Sequence, residues 1–253
     1  MDIVTINSGN LAQHPGSICF INPKNPSFHL KNEWITQRFS EGLRIKLLYT
    51  GDRKKVAGFI EYVPGEFAWR AVSAAGYMFI HCLWIYPNEN KNKGFGTRLI
   101  EECIEDARQN NCNGVAVVTS KNAFMANSSL FLKNGFHEIA NDGVGNELLV
   151  LSINEAALPT INDWKKQLAK YQGLHIVYSK QCPWVARMVE EISESELAKK
   201  LNLQITQLKT STDAQNAPSL YSVFSLINNG KLLADRYISI TRLNNILKKE
   251  KLI

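Results

Sequence analysis

The feature that most constrains this chain is a junction in its first half. The apolar run Ile80-His81-Cys82-Leu83-Trp84-Ile85-Tyr86-Pro87 passes through the polar turn Asn88-Glu89-Asn90-Lys91-Asn92-Lys93 into Gly94-Phe95-Gly96-Thr97-Arg98-Leu99. A run so rich in aromatic and β-branched residues predicts a buried strand. After the turn, Leu99, Ile100, Cys103, Ile104 and Ala107 fall on one helical stripe, with Glu101, Glu102, Glu105 and Asp106 opposite. That pattern predicts a helix over residues 95–109. Glycines let backbone N–H groups come close to an anion, and a helix start adds free amides and partial positive charge. Lys91 and Lys93 add full charges. The junction is therefore a candidate diphosphate site, although a lone Gly-x-Gly also suits an ordinary strand–helix turn.

The pattern around it alternates in the manner of an α/β domain. Strands are expected at 2–6, 43–49, 56–63, 76–86, 114–119, 136–140 and 148–153, with helices at 31–40, closed by Gly42, and 128–134, closed by Gly135. Pro159 breaks the chain, and 162–171 reads as a connecting helix. A second unit then runs strand (175–179), helix from Cys182-Pro183-Trp184, strand (203–208), a hairpin around Asn228-Asn229-Gly230 (221–227 and 231–235) and a helix from 241. The expected organisation is a domain at 1–155, a linker with its helix at 156–173 and a smaller domain at 174–253.

Composition narrows the class. The chain has 253 residues, 45% of them hydrophobic and 21% charged, which are globular values. No apolar run approaches the roughly 20 residues of a membrane helix, and the N-terminus lacks the pattern of a secretion signal. The five cysteines form no Cys-x-x-Cys pair, which argues against a disulfide framework or a four-cysteine zinc site. A cytoplasmic protein with no metal and no membrane partner is expected. Basic and acidic residues balance at fifteen each up to Glu155, then stand at fourteen against eight. Scattered lysines of this kind suit a solvated face; with no aromatic-and-basic RNA motif, a nucleic-acid partner is not expected.

Residues 91–96, Lys-Asn-Lys-Gly-Phe-Gly, resemble the acetyl-CoA loop of the GNAT N-acetyltransferases, (Arg/Gln)-x-x-Gly-x-(Gly/Ala), with Lys91 at the first position. Asn127-Ser128-Ser129-Leu130-Phe131-Leu132-Lys133-Asn134-Gly135-Phe136 looks like that family's second CoA segment. The resemblance covers about residues 3–153. It implies a GNAT acyltransferase fold on a mixed sheet, with strand 80–86 splaying near Pro87. Amides around Leu83, Trp84 and Ile85 would hold the pantetheine and polarise the thioester carbonyl. Lys91, Lys93, Gly94, Phe95, Gly96, Thr97 and Arg98 would receive the diphosphate, with Asn122 and Asn127 on the pantetheine arm. Acetyl-CoA would be a co-substrate, and a primary amine would attack it directly in a ternary complex. Many family members carry a proton-donating Tyr where this chain has Phe131. Glu61 and His81 are the candidate bases, each also readable as an ordinary strand residue. Trp69 and Arg70 are candidates for the acceptor pocket, where Arg70 could meet a substrate carboxylate.

The C-terminal order, with Cys-Pro-Trp opening a helix and Pro218 leading toward the hairpin, resembles the thioredoxin-like fold. The whole chain is similar to the YoaP-like acetyltransferases, which join the two modules. Val185 stands where a redox thioredoxin has its second cysteine. Cys182 would then be a single thiol at a helix start, activated by the helix dipole with help from Lys180, and a candidate substrate contact. The leading function is N-acetyl transfer. The alternative is a thiol-dependent module with the first half as a CoA-binding scaffold.

Overall fold

A computed structural model describes residues 1–51, 55–121 and 125–253. The first part contains β1 (Asp2–Ile6), α1 (Ser27–Arg38), β2 (Arg44–Thr50), β3 (Lys55–Pro64), β4 (Val72–Ser73), β5 (Tyr77–Ile85), α2 (Phe95–Gln109), β6 (Gly114–Ser120), α3 (Ser128–Lys133), β7 (His137–Asn141) and β8 (Asn146–Ser152). Seven of these strands form one mixed sheet in the order β1-β2-β3-β5-β6-β8-β7. Its neighbours are antiparallel except for β5 and β6.

Strand alternation gives the sheet two apolar faces. Ile60, Tyr62, Val115, Val117 and Leu149 face α2, whose Leu99, Ile100, Cys103 and Ala107 bury the predicted stripe. Phe59, Val63, Ala116, Val118 and Val150 face the other way, toward Trp34 and Ile35 of α1. Glu61 shares that second face by alternation. Helix α1 begins four residues earlier than its sequence pattern suggested, so Lys31 lies in its second turn rather than at its start.

The second half contains β9 (Thr160–Ile161), α4 (Trp164–Leu168), β10 (Leu174–Tyr178), α5 (Pro183–Ser193), α6 (Glu196–Lys200), β11 (Gln204–Gln207), α7 (Ser211–Gln215), β12 (Phe224–Asn228), β13 (Lys231–Ala234) and α8 (Ile240–Lys249). A four-stranded sheet runs β11-β10-β12-β13, parallel only between β10 and β11. Short helices α6 and α7 were absent from the predicted order. The latter had a readable signal, because Thr210 and Asp213 close a capping box around its first turn.

The segment expected to be a linker is packed into the structure. Strand β9 pairs with β4, and Trp164 and Leu168 of a five-residue α4, half the predicted length, are buried in the core. That core also takes in Val177, Leu208, Ala214, Leu220 and Ile227. The C-terminal unit thus covers the sheet face that carries Glu61. Backbone hydrogen bonds run from Ala71 N–H to Leu220 C=O and from Asn162 N–H to Ala71 C=O, at 3.2 and 2.9 Å. No helix among the described residues is long and apolar enough to cross a membrane.

Candidate active site

Strands β5 and β6 pair only from Tyr77 with Gly114 to Ile80 with Val117. Beyond Ile80 they separate. Strand β6 stays paired to β8 as far as Ser120, while Cys82–Ile85 keep only their bonds to β3. The sheet is therefore open along one edge of β5, and the divergence begins well before Pro87. A bulge sits at the same place: Glu61 pairs with Cys82 and Tyr62 with Ile80, so His81 is the extra residue.

The open edge leads into a cavity of about 880 Å³. One end is lined by Leu83, Trp84 and Ile85 of β5, the loop residues Lys91, Asn92 and Gly94, and Phe95, Gly96 and Thr97 at the start of α2. Gly94 is the N-cap of α2, at φ +78° with no side-chain cap, so no side chain claims the first amides. A Cβ at Gly96 would stand 3.0 Å from Leu130 of α3, whereas Gly94 has open space beside it. Glycine at 94 is thus required by its backbone angle, and at 96 by close helix packing. Asn127 lines the cavity while its side-chain oxygen caps α3 by accepting from Ser129 N–H at 2.9 Å. Phe131 is fully buried and packs edge-on against Phe136.

Three residues expected around the site lie off the cavity wall. Lys93 is exposed in the turn. Arg98 reaches along its own helix to Glu102 at 2.8 Å and Glu101 at 3.5 Å. Trp69 is buried beneath His81, edge-on to Trp34. Asn122 lies outside the described residues.

The other end of the cavity is a buried cluster of charged groups. Lys31 donates to Glu61 Oε2 at 2.6 Å and to the Gln181 carbonyl at 2.9 Å. Gln181 Nε2 donates to Glu61 Oε1 at 3.2 Å, and Gln181 Oε1 accepts from Arg70 at 2.6 Å. Arg70 also donates to the carbonyls of Trp69 and His81, at 2.6 and 2.9 Å, and stacks 4.7 Å from the ring of Tyr221. Burial, the largest influence, would raise the Glu61 carboxyl, but Lys31 and His81 together outweigh it and hold Glu61 at about 2. Burial, the largest influence, would lower Lys31, but Glu61 together with the neighbouring Cys19 and Cys82 leaves it raised.

His81 sits between the two. Its Nε2 accepts the Trp69 N–H at 2.9 Å, which leaves the proton on Nδ1, facing Glu61 at 3.6 Å. Burial, only partly offset by Glu61, pulls the imidazole down to about 4. At neutral pH it is an uncharged ring whose lone pair is already engaged.

The C-terminal unit contributes Gln181, Cys182, Trp184, Tyr221 and Val223 to the cavity wall. Burial pushes the Cys182 thiol up, against the expected activation. The Trp184 and Val185 amides favour its thiolate without a cap hydrogen bond and do not overcome burial. The cation that helps is Lys31, from the other half, rather than Lys180. Burial likewise pushes up the Tyr221 phenol and two further cavity thiols, Cys19 and Cys82. Lys31, Gln181 and Tyr221 escaped sequence reasoning, because nothing local in a helix lysine, a loop glutamine or a strand-like tyrosine marks a shared pocket.

The chain is similar to known proteins. Residues 17–136 match the model of the acetyltransferase (GNAT) family. The chain is 29% identical over 221 residues, 86% of each chain, to a Bacillus subtilis (strain 168) protein described as the uncharacterized N-acetyltransferase YoaP. Among solved structures, it is similar to a GNAT-family acetyltransferase from Staphylococcus aureus Mu50, with 14% identity, 60% of this chain, 99% of that chain and a TM-score of 0.45. The ribosomal-protein-alanine N-acetyltransferase of Brucella melitensis has 14% identity, 60% and 100% coverage and a TM-score of 0.43. The match to the acetyltransferase (GNAT) family model spans the open strand, the glycine loop and the uncapped start of α2, so the part of the chain that shapes this end of the cavity is similar to that family.

Proposed function

We propose that the chain moves an acetyl group from acetyl-CoA to a primary amine by direct attack in a ternary complex. The observation that carries this is the continuity of one cavity from the uncapped start of α2, past the free edge of β5, to the buried Glu61 cluster. The residues present fit the co-substrate. Unclaimed amides at Phe95, Gly96 and Thr97, with Lys91 beside them, suit a diphosphate. The unpaired edge from Cys82 to Ile85 offers hydrogen bonds to an amide-bearing arm and to a carbonyl that gains negative charge during attack.

At the acceptor end, Glu61 is too acidic to take a proton from an ammonium at neutral pH. It serves as a fixed hydrogen-bond acceptor that orients the amine. Lys31 and Arg70 in the same dry pocket make a bound ammonium more acidic, so the amine reacts as its free base. His81 acts by position, holding its proton toward Glu61 and its lone pair on the Trp69 amide. Tyr221 stays protonated, and its hydroxyl makes no hydrogen bond to the described residues. It is the group we assign to protonate the departing thiolate, in place of a tyrosine at Phe131, and the proton that the amine nitrogen sheds on attack restores its phenol.

The C-terminal unit is read as thioredoxin-like on its strand order and on Cys182 at the start of α5. Its role is to wall the acceptor end, with Cys182 as a contact rather than a redox centre. Calorimetry with acetyl-CoA tests the reading, with one-to-one binding expected and weakened by Thr97→Glu. Release of free thiol should depend on added amine. A folded protein that gives no binding heat overturns it.

A further inference from the structure

We propose that the acceptor is a short zwitterion, a free amino acid, whose ammonium meets Glu61 and whose carboxylate meets Arg70. The proposal rests on the acetyl-transfer reading above and names the substrate class for that site. Its starting point is charge. Arg70 is 2% exposed, yet its hydrogen bonds go only to neutral oxygens: two carbonyls and the Gln181 amide. No ion pair of the described residues includes it, and the one carboxylate nearby, Glu61, is already bound by Lys31. With His81 neutral, the acceptor end holds two cations against one carboxylate. An unbalanced buried charge is costly, and a ligand that brings the missing carboxylate recovers that cost. The planar guanidinium is also the side chain best shaped for a carboxylate.

Spacing adds a second constraint. Gln181 touches both poles with one carboxamide: its nitrogen donates to Glu61 at 3.2 Å and its oxygen accepts from Arg70 at 2.6 Å. The site's negative and positive groups are therefore separated by about the span of one amide. A ligand that places an ammonium on the first and a carboxylate on the second must carry its charges a few bonds apart, as α- and β-amino acids do. Long polyamines and neutral amines supply no partner for Arg70.

The test uses matched triplets, each a free amino acid, its primary amide and its decarboxylated amine, assayed with acetyl-CoA by thiol release. For the wild-type enzyme, kcat/KM for the best free amino acid should exceed both analogues at least about tenfold, or ~1.4 kcal/mol. Gln181→Glu gives Arg70 a carboxylate of its own, and should shrink that preference to roughly twofold. Arg70→Lys keeps the charge but loses the planar fork, and should reduce the preference without removing it. Circular dichroism confirms that each variant is folded. The proposal is overturned if the amides or amines react as well as the amino acids, or if the preference survives Gln181→Glu. It is equally overturned if an enzyme that binds acetyl-CoA by calorimetry turns over no member of any triplet. Loss of acetyl-CoA binding in the wild type would instead overturn the acetyl-transfer reading.

Discussion

The two ends of the cavity are built on opposite principles. At the α2 end the working groups are backbone amides, freed because Gly94 provides no side-chain cap and because β5 leaves β6 after Ile80. Solvent reaches this end, and the nearby lysine sits on a turn. At the α5 end the working groups are side chains, Lys31, Glu61, Arg70 and Gln181, buried and bonded to one another. The two helix starts show the contrast directly. Helix α2 opens on a glycine, with no side chain beside its first amides, whereas α5 opens on the Cys182 thiol, whose thiolate the Trp184 and Val185 amides favour. Binding an anionic co-substrate needs little preorganised charge when amides can solvate it. Selecting a small acceptor needs fixed charges in a dry pocket, and those must be held by mutual pairing.

Substitutions should therefore cost stability at one end and affinity at the other. Lys31→Met, the largest effect, leaves Glu61 buried without its cation and is expected to destabilise the fold by about 3–5 kcal/mol, read as a loss of Tm and of denaturation midpoint. A Tm within a degree or two of wild type would show that the pair is not holding the interface.

Acid should attack the same end. Glu61 stands at about 2 in the folded chain, below its unfolded value, so its contribution is complete above the ordinary carboxylate range and fades as pH falls toward 2. His81, held down to about 4, favours the neutral ring, so its contribution is complete above its unfolded value near 6.5 and fades toward 4. Each is worth roughly 3 kcal/mol at full strength. Stability should fall in two stages on acidification, and His81→Gln should remove the upper one. An unchanged profile between pH 6.5 and 4 in that variant would break the assignment.

Tyr221→Phe removes the proposed proton donor and should lower kcat about 100-fold with little change in the acetyl-CoA KM. A shift in KM alone would make Tyr221 a wall residue. Thr97→Glu puts a negative charge at the open end, and should raise the acetyl-CoA Kd about 30-fold while Tm stays near wild type. Cys182 gives the smallest effect. With its thiol pushed up, alkylation at pH 7 should be slow, accelerate above pH 9 and be slowed further by acetyl-CoA. Rapid labelling below pH 7 would restore the activated-thiol reading.

Much of the architecture was legible beforehand because it rests on local signals. The stripe Leu99, Ile100, Cys103, Ile104 and Ala107 fixed α2 from residue 95 to 109, as observed. Glycine at 42 and 135 marked helix ends, and Asn228-Asn229-Gly230 marked the β12–β13 hairpin. The loop at 91–96 pointed to the open end of the cavity, since amides and glycines act within a few residues of one another. Lys93 and Arg98 misled for a local reason too: being near the loop in sequence does not turn a side chain inward, and Arg98 has glutamates one turn along its helix.

The acceptor end could not be read that way. Lys31 and the Gln181 carbonyl are 150 residues apart, and Gln181 and Glu61 are 120 apart. Only the packing of the C-terminal unit onto the sheet face of Glu61 brings them together. Glu61 read equally well as a solvent-facing strand carboxylate and His81 as a satisfied strand histidine, because alternation assigns a face but not what covers it. By itself the sequence determined most of the strands and helices and the glycine-bearing turn, each set by interactions within a dozen residues. Tertiary structure decided which charges are buried, which cation meets which carboxylate and which aromatic ring lines the cavity, because each depends on water excluded by distant parts of the chain.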